Sequence, residues 1–368
     1  MAAAARMPEW SPPAYLDLIK AYREHCTNEV ERVRRNLKSL SDDDKASLIC
    51  KPEEQVRRME EGVSSNMALL DKVAALIASI EAPGAHGGRQ SMDNMPHGTK
   101  PVQTLLQTFV REWAAEGAEE RRECFERLLG AMDEHLQGAK EQAVTAGSSP
   151  PRVLIPGAQL GRLAYEVQRR GFVCEACEGR VLQYFGNEFV RQHCSGDVRE
   201  VHRIQPYTLN TCNRFREQDH VRVTPIPEIE IQADALPSVR FGEFLQLYDC
   251  ASARGSFDGL LTAFSLDTPS NIFRYVRTAA HVVREGGLWA NFGPLAYDAE
   301  HDEAHGHGVE LSWEELKYAV SHFFEVKDEA FVDSFHAANA ESMMQIQYSC
   351  IYFKAVRNSS PAPGIGEK

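Results

Sequence analysis

The stretch Val153-Leu-Ile-Pro-Gly-Ala-Gln-Leu-Gly-Arg-Leu-Ala164 decides the fold class of this chain. Its apolar start, ending at Gly157, is typical of a buried parallel strand, and the residues from Leu160 to Arg170 have helical spacing. Phe172 to Glu178 reads as a second strand, which completes a β-α-β unit of the usual size. Doubly wound sheets bind ligands where the first strand turns into its helix, so we expect a ligand near Gly157.

An acidic residue at the end of the second strand favours a nucleotide-type ligand. Glu178 lies 21 positions after Gly157, close to the offset at which a carboxylate binds ribose hydroxyls. Gln159 stands where a dinucleotide-binding motif has its second glycine, which favours an adenosyl group over a pyrophosphate. An ordinary tight turn remains the alternative interpretation of the glycines.

The rest of the C-terminal part alternates strands with helices, which predicts an α/β protein. The expected elements are strands at 257–264, 288–292, 324–331 and 345–353, and helices at 271–284 and 313–321. We expect the pair Gly286-Gly287 to end the first of these helices, and the last two strands to form an antiparallel pair.

The first third of the chain has apolar residues three or four positions apart, which predicts helices. A segment rich in glycine and proline, 82–101, interrupts them and predicts a flexible loop. The expected organisation is an N-terminal helical domain (1–147), a ligand-binding sheet domain (148–358) and a disordered tail (359–368).

Composition and charge exclude several classes of partner. The chain has 368 residues, of which 43% are hydrophobic and 25% charged, as in ordinary globular proteins. A formal net charge of −13 disfavours binding to nucleic acid or to an anionic membrane, and no apolar run is long enough for a membrane span. The N-terminus lacks the apolar core of a signal peptide, and the nine cysteines follow no disulfide framework. We therefore expect a cytoplasmic protein, with the nucleus as a further location.

Two clusters suggest a metal site, and neither is convincing. Cys174 and Cys177 have no second CxxC pair to complete four ligands, and on a strand their thiols point to opposite faces. His301, His305 and His307 lie in a polar segment that reads as a solvated loop. We expect no metal.

These motifs resemble those of the carnosine N-methyltransferase family, which are class I S-adenosylmethionine-dependent methyltransferases. The stretch 153–164 is similar to the family's first motif, and Val283–Trp289 resembles the helix-to-strand turn of class I enzymes. Further similar segments are Phe109–Trp113, Asn213-Arg214, Asp267-Thr268, Gly293–Tyr297, Ser312–Leu316 and Ser342–Met344. The resemblance implies a Rossmann-like, seven-stranded methyltransferase sheet with an N-terminal helical domain, and S-adenosylmethionine as the cofactor.

The resemblance also implies which residues hold this cofactor. Arg111 would bind the methionine carboxylate and Glu178 the ribose, while Glu243 and Phe244 would hold the adenine. The other implied cofactor contacts are Thr108, Gly157 and Ala263. Glu243 stands where the family has aspartate, and Thr108 where it has glutamine.

For the methyl acceptor, the resemblance implies that Asp267 binds one nitrogen of an imidazole ring while the other nitrogen reacts. A helix N-cap before Asn271 is the alternative role for Asp267. The implied substrate-binding residues are Asp267, Asp298, His336, Ile346 and Tyr348. Asp298 replaces a histidine of the family, and His336 and Ile346 replace tyrosines. A second carboxylate at Asp298 favours a more cationic or differently placed amine or imidazole.

The predicted function is therefore N-methylation of an imidazole nitrogen in a histidine-containing small molecule or dipeptide, such as carnosine. Another small amine and a peptide histidine are alternative acceptors. A nicotinamide-dependent oxidoreductase and an inactive methyltransferase-like binding module are the rival classes. Gln159 and Gly286-Gly287 count against the first, and Asp267 with Glu178 against the second. The oligomeric state stays open, and a homodimer is one option.

Overall fold

The computed structural model describes residues 12–79, 98–196, 200–269, 271–297 and 308–361. The helices are α1 (Pro12–Lys38), α2 (Asp42–Ala46), α3 (Pro52–Ser79), α4 (Lys100–Trp113), α5 (Ala118–Ala146), α6 (Arg162–Arg169), α7 (Val181–His193), α8 (Phe244–Leu247), α9 (Ile272–Val282) and α10 (Trp313–Ser321). The strands are β1 (Arg152–Pro156), β2 (Val173–Glu178), β3 (His202–Ile204), β4 (Thr224–Ile226), β5 (Val239–Phe241), β6 (Phe257–Ala263), β7 (Val283–Gly293), β8 (Phe324–Ser334) and β9 (Tyr348–Arg357). None of the helices in these ranges has the length and hydropathy of a membrane span.

Seven strands form one sheet in the order β5-β2-β1-β6-β7-β9-β8. The first five in this order run parallel, and β9 pairs antiparallel with both β7 and β8. The predicted Rossmann-like sheet with a reversed terminal pair is therefore confirmed. The strand order changes direction between β1 and β6, so their carboxyl ends border the crevice in which such sheets bind ligands.

Helices cover both faces of this sheet. Apolar residues of α5 and α6 share a core with β1, β6 and β7 on one face, and α9 and α10 pack on the other. The N-terminal helices α1, α3 and α4 share a further core with α7 and with Leu160, which follows β1. The helical segment thus packs directly beside the loop that was expected to bind the ligand.

Three sequence-based boundaries are wrong. Gly286-Gly287 does not end a helix: α9 ends at Val282, and the pair lies inside β7, at the irregular register opposite Phe257–Gly259. The strand extends this far because Val283 already pairs with Phe257 of β6.

The predicted loop 82–101 ends early, because Lys100 and Pro101 are the first residues of α4, and proline is well tolerated in a first helical turn. Residues 82–97 of that loop lie outside the described residues. The third wrong boundary is the start of the last strand: β9 begins at Tyr348 rather than at residue 345.

A tight corner joins α4 to α5. Nη1 of Arg121 donates to the carbonyl oxygens of Arg111 (2.7 Å) and Ala114 (2.8 Å), which lie at the end of α4. Gly117 turns the chain so close to this end that a Cβ atom there would overlap the carbonyl oxygens of Val110 and Arg111. The corner therefore requires glycine for lack of space, since the φ of Gly117 is an ordinary −81°.

We expect Gly117→Ala to destabilise the protein by about 1–3 kcal/mol, because the backbone atoms that the new methyl group meets must shift. Thermal unfolding followed by circular dichroism measures this change. Gly130→Ala is the matched control on the same helix, where a Cβ atom meets nothing within 4 Å. It should stabilise α5 by about 0.5–1 kcal/mol. Equal unfolding temperatures for the two variants would contradict the close approach at the corner.

Candidate active site

The loop after β1 (residues 157–161, the glycine loop) lies at the crevice of the sheet. Gly157 and Gly161 have left-handed φ angles of +66° and +84°, and the intervening Gln159 also has a positive φ of +51°. A Cβ atom on Gly157 would lie 3.1 Å from Cβ of Ser265, which follows β6. Glycine is needed here for both reasons, and a residue without a Cβ atom permits close approach of a ligand to the backbone.

Glu178 holds the glycine loop from the end of β2. Its side chain is 2% exposed, and its Oε2 accepts from the backbone N–H of Gln159 (2.8 Å). Its Oε1 accepts from the backbone N–H of Arg180 (2.8 Å) and from Nε of the same residue (3.1 Å). The carboxylate picked out by its spacing from Gly157 therefore does lie against this loop.

Glu243 and Phe244 lie beside the end of β2. The Glu243 carboxylate covers the backbone of Gly179 so closely that a Cβ atom there would overlap it. The ring of Phe244 is buried, with its centroid 4.9 Å from that of Tyr275. Glu243 thus supplies a carboxylate, and Phe244 an apolar surface, near the end of β2 where Glu178 lies.

Arg111 is a buried cation with unused hydrogen-bond donors. It is 2% exposed, and its Nη1 lies 3.4 Å from Oε1 of Gln159 in the glycine loop. Its charge is balanced by Glu112 (Nη1 to Oε1, 3.7 Å) and Glu120 (Nε to Oε2, 3.4 Å). Among the described residues, Nε and Nη2 have no hydrogen-bond partner. Buried polar groups are almost always satisfied, so these nitrogens are suited to an anionic ligand group.

The segment after β6 connects this cation to the opposite side of the crevice. The Arg111 guanidinium lies 5.1 Å from the ring centroid of Phe264, and the His336 ring packs against Phe264 at a tilt of 37°, with centroids 4.5 Å apart. Asp267 follows three residues later, and its Oδ2 accepts from the backbone N–H of Ala296 (2.8 Å). Phe264 thus contacts both Arg111 and His336, and Asp267 lies on the same short segment.

Asp267 is not the cap of the following helix. The N-cap of α9 is Asn271, whose side chain accepts from the backbone N–H of Arg274 (2.9 Å). The alternative role that the sequence allowed for Asp267 is therefore wrong. Its carboxylate instead lies at the sheet edge, oriented by the chain that leaves β7.

The loop between β8 and β9 (residues 335–347, the β8–β9 loop) carries His336. Nε2 of His336 is buried without a hydrogen-bond partner among the described residues. Burial and the cations Arg111 and Arg180 lower the pKa of His336 well below its usual value, so the ring is neutral. The Glu120 carboxylate fastens this loop by accepting from the backbone N–H groups of Ala337 (2.8 Å) and Ala338 (2.9 Å).

The remaining predicted site residues lie at varied positions. Tyr348 begins β9 and is partly buried, whereas Ile346 is 66% exposed and presents most of its side chain to solvent. Ala263 ends β6, and the Thr108 hydroxyl donates to the carbonyl of Thr104 in its own helix (2.7 Å). Asp298 lies outside the described residues, as do His301, His305 and His307.

Sequence reasoning missed two acids that organise the site, Glu112 and Glu120. Glu112 accepts from the backbone N–H of Arg162 (3.2 Å) at the start of α6, and Trp113 beside it donates from Nε1 to the carbonyl of Leu160 (3.1 Å). The segment Phe109–Trp113 resembled a family motif, but its pattern was only that of an amphipathic helix. In the part of the chain described, no group of three or more His, Cys, Asp or Glu residues could hold a metal ion.

Comparison with known proteins shows which family this chain is similar to. The family model described as carnosine N-methyltransferase matches residues 89–359. The carnosine N-methyltransferase of Rattus norvegicus is 28% identical over 350 residues, which cover 91% of this chain and 84% of that protein. That of Schizosaccharomyces pombe is 25% identical over 355 residues, covering 90% of this chain and 91% of that protein.

Among solved structures, magnesium protoporphyrin IX methyltransferase from Synechocystis, with bound S-adenosylmethionine, aligns with a TM-score of 0.33 and 9% identity. The alignment covers 74% of this chain and all of that one. The family match extends over the whole seven-stranded sheet and over the helices that carry Arg111 and Glu120. The chain belongs to the carnosine N-methyltransferase family and is an S-adenosylmethionine-dependent N-methyltransferase.

Proposed function

We propose that this enzyme methylates an imidazole nitrogen of a histidine-containing small molecule or dipeptide of the carnosine type. One observation carries the proposal: the segment from Phe264 to Asp267 joins the partly unsatisfied Arg111 to the anchored carboxylate of Asp267. The proposed methyl-donor site, at Arg111, and the proposed methyl-acceptor site, at Asp267, thus share one short segment of the chain. We refer to them as the donor site and the acceptor site. The names of the relatives, which act on carnosine, support the same acceptor.

The residues around the glycine loop fit S-adenosylmethionine. The unused nitrogens of Arg111 suit a carboxylate, for which a guanidinium is the best matched partner. The Glu178 carboxylate is suited to accept hydrogen bonds from ribose hydroxyls. For an adenine base, Glu243 offers a hydrogen-bond acceptor and Phe244 a ring to pack against. When bound, this cofactor supplies a methyl group on a positively charged sulfur atom.

The role of Asp267 follows from the chemistry of imidazole. A histidine ring with a pKa near 6.5 is mostly neutral at pH 7, so its lone pair needs no strong base to become reactive. Asp267 accepts the N–H of the other ring nitrogen, which fixes the tautomer and stabilises the cation that forms on methylation. The backbone N–H of Ala296 holds the carboxylate in place for this task.

The acceptor side is more acidic than in the family pattern. Asp298 would add a second carboxylate to Asp267, and His336 is neutral because burial and the nearby cations lower its pKa. An acceptor that carries an ammonium group beside its imidazole ring, as carnosine does, is complementary to this charge. Another small amine or a peptide histidine would be the alternative outcome.

A methyl-donor consumption assay over carnosine, histidine, histidine-containing peptides and small amines tests the acceptor. We expect turnover with histidine dipeptides, and a product methylated on the ring by nuclear magnetic resonance. Turnover restricted to amines without an imidazole ring would refute the proposal while leaving methyltransfer intact.

Asp267→Asn should lower kcat by about 100-fold or more, because it removes the negative charge that stabilises the imidazolium-like transition state. The asparagine oxygen can still accept from Ala296, so the affinity for S-adenosylhomocysteine should be unchanged. Steady-state kinetics and calorimetry measure the two quantities. Asn271→Ala is the control: it removes the cap of α9 and should lower stability by about 1 kcal/mol without lowering kcat. Full turnover in Asp267→Asn would eliminate Asp267 as the catalytic residue.

Arg111→Lys should weaken S-adenosylhomocysteine binding by about tenfold, because lysine keeps the charge that balances Glu112 and Glu120 but loses the planar fork. Calorimetry measures the dissociation constant. Arg122→Lys on the exposed face of α5, where the side chain pairs with the surface residue Glu119, should bind like the native enzyme. Native affinity in Arg111→Lys would mean that the cofactor carboxylate binds elsewhere.

A further inference from the structure

We propose that Glu112 is a positioning residue for the donor site: its buried carboxylate fastens the glycine loop to α4, so that the loop and Arg111 meet the cofactor as one unit. The inference rests on the donor site proposed above. It concerns a residue that the chemistry of the transfer does not use.

The contacts run from two consecutive residues of α4 to the end of the glycine loop. Oε2 of Glu112 accepts from the backbone N–H of Arg162 (3.2 Å), and the backbone N–H of Leu160 faces the same carboxylate. Nη1 of Arg162 donates back to the carbonyl oxygen of Glu112 (2.9 Å). Nε1 of Trp113 donates to the carbonyl of Leu160 (3.1 Å). Both polar groups of the Leu160 backbone are therefore engaged by α4.

Glu112 also supplies the cap that α6 lacks. This helix begins after Gly161, which has no side chain to accept from the first free N–H groups. A carboxylate from another helix fulfils that function, and its charge favours the positive end of the helix dipole. Loss of this acceptor would loosen the end of the loop that leads back to Gln159, the residue in contact with Arg111.

The surroundings of Glu112 disfavour its ionised form. Burial raises the pKa of Glu112 to about 7, although Arg111 acts to lower it. A carboxyl group with a raised pKa in the folded state costs stability as the pH rises through that value, so at pH 8 the ionised form opposes folding. The other charged groups that act on it are Arg121 on α5, Arg162 on α6, Glu178 on β2 and Arg180 before α7.

The variant Glu112→Gln tests whether Glu112 positions the donor site or only supports the fold. At pH 8 we expect the dissociation constant for S-adenosylhomocysteine, measured by calorimetry, to rise about 10- to 100-fold, because glutamine replaces a charged acceptor with a neutral one. The unfolding temperature should change little, because the loss of a buried charge is offset by the weaker compensation of Arg111 and the weaker cap of α6. The KM for S-adenosylmethionine should rise with the dissociation constant, while kcat at saturating donor stays within about threefold of the native value.

Glu166→Gln is the matched control. Glu166 pairs with Nε of the same Arg162 (3.0 Å) on α6, but it lies a full turn beyond the glycine loop. This variant should bind S-adenosylhomocysteine as the native enzyme does. Native affinity in Glu112→Gln, or an equal loss of affinity in Glu112→Gln and Glu166→Gln, would overturn the proposal.

Glu112→Asp keeps the charge but withdraws the carboxylate by one methylene group. It should bind S-adenosylhomocysteine at least about fivefold more weakly than the native enzyme. If Glu112→Gln does not fold, a native dissociation constant in Glu112→Asp refutes the positioning role. Failure of the native enzyme itself to bind S-adenosylhomocysteine would instead refute the donor site.

Discussion

Arg111 places a permanent positive charge inside the protein, between the helices α4 and α5 and the loops that follow β1 and β6. Burying a charge costs several kcal/mol unless other groups compensate it. Here the compensation is incomplete: two carboxylates balance the charge from 3.4 and 3.7 Å, while two guanidinium nitrogens lack a hydrogen-bond partner among the described residues. An anion that completes the set gains from a site that is already oriented and buried.

The two carboxylates that balance Arg111 each hold a different loop. Glu112 accepts from the backbone at the start of α6 and so holds the glycine loop, whereas Glu120 accepts from Ala337 and Ala338 and so holds the β8–β9 loop. The first loop belongs to the donor side of the proposed site and the second to the acceptor side. Helices α4 and α5 therefore hold both loops of the proposed site through one cation and two anions.

Local geometry explains why part of this site was predictable. A parallel β-α-β unit has a nearly constant size. The 21-residue spacing between Gly157 and Glu178 was therefore enough to predict that this carboxylate lies at the glycine loop. The same local rules predicted the antiparallel end of the sheet. They did not predict the role of Gly286-Gly287, because the extension of β7 depends on pairing with β6 rather than on the glycines themselves.

The sequence by itself determined the fold class, the position of the glycine loop and the carboxylate opposite it, because these depend on hydrophobic periodicity and on residues close together along the chain. Only the tertiary structure decided which buried charges meet. Arg111 reaches a loop 48 positions away, Glu120 a loop 217 positions away, and Asp267 an amide 29 positions away. Such pairings are set by how the helices pack on the sheet, and an amphipathic helix pattern does not specify which of its polar side chains a neighbouring loop will use.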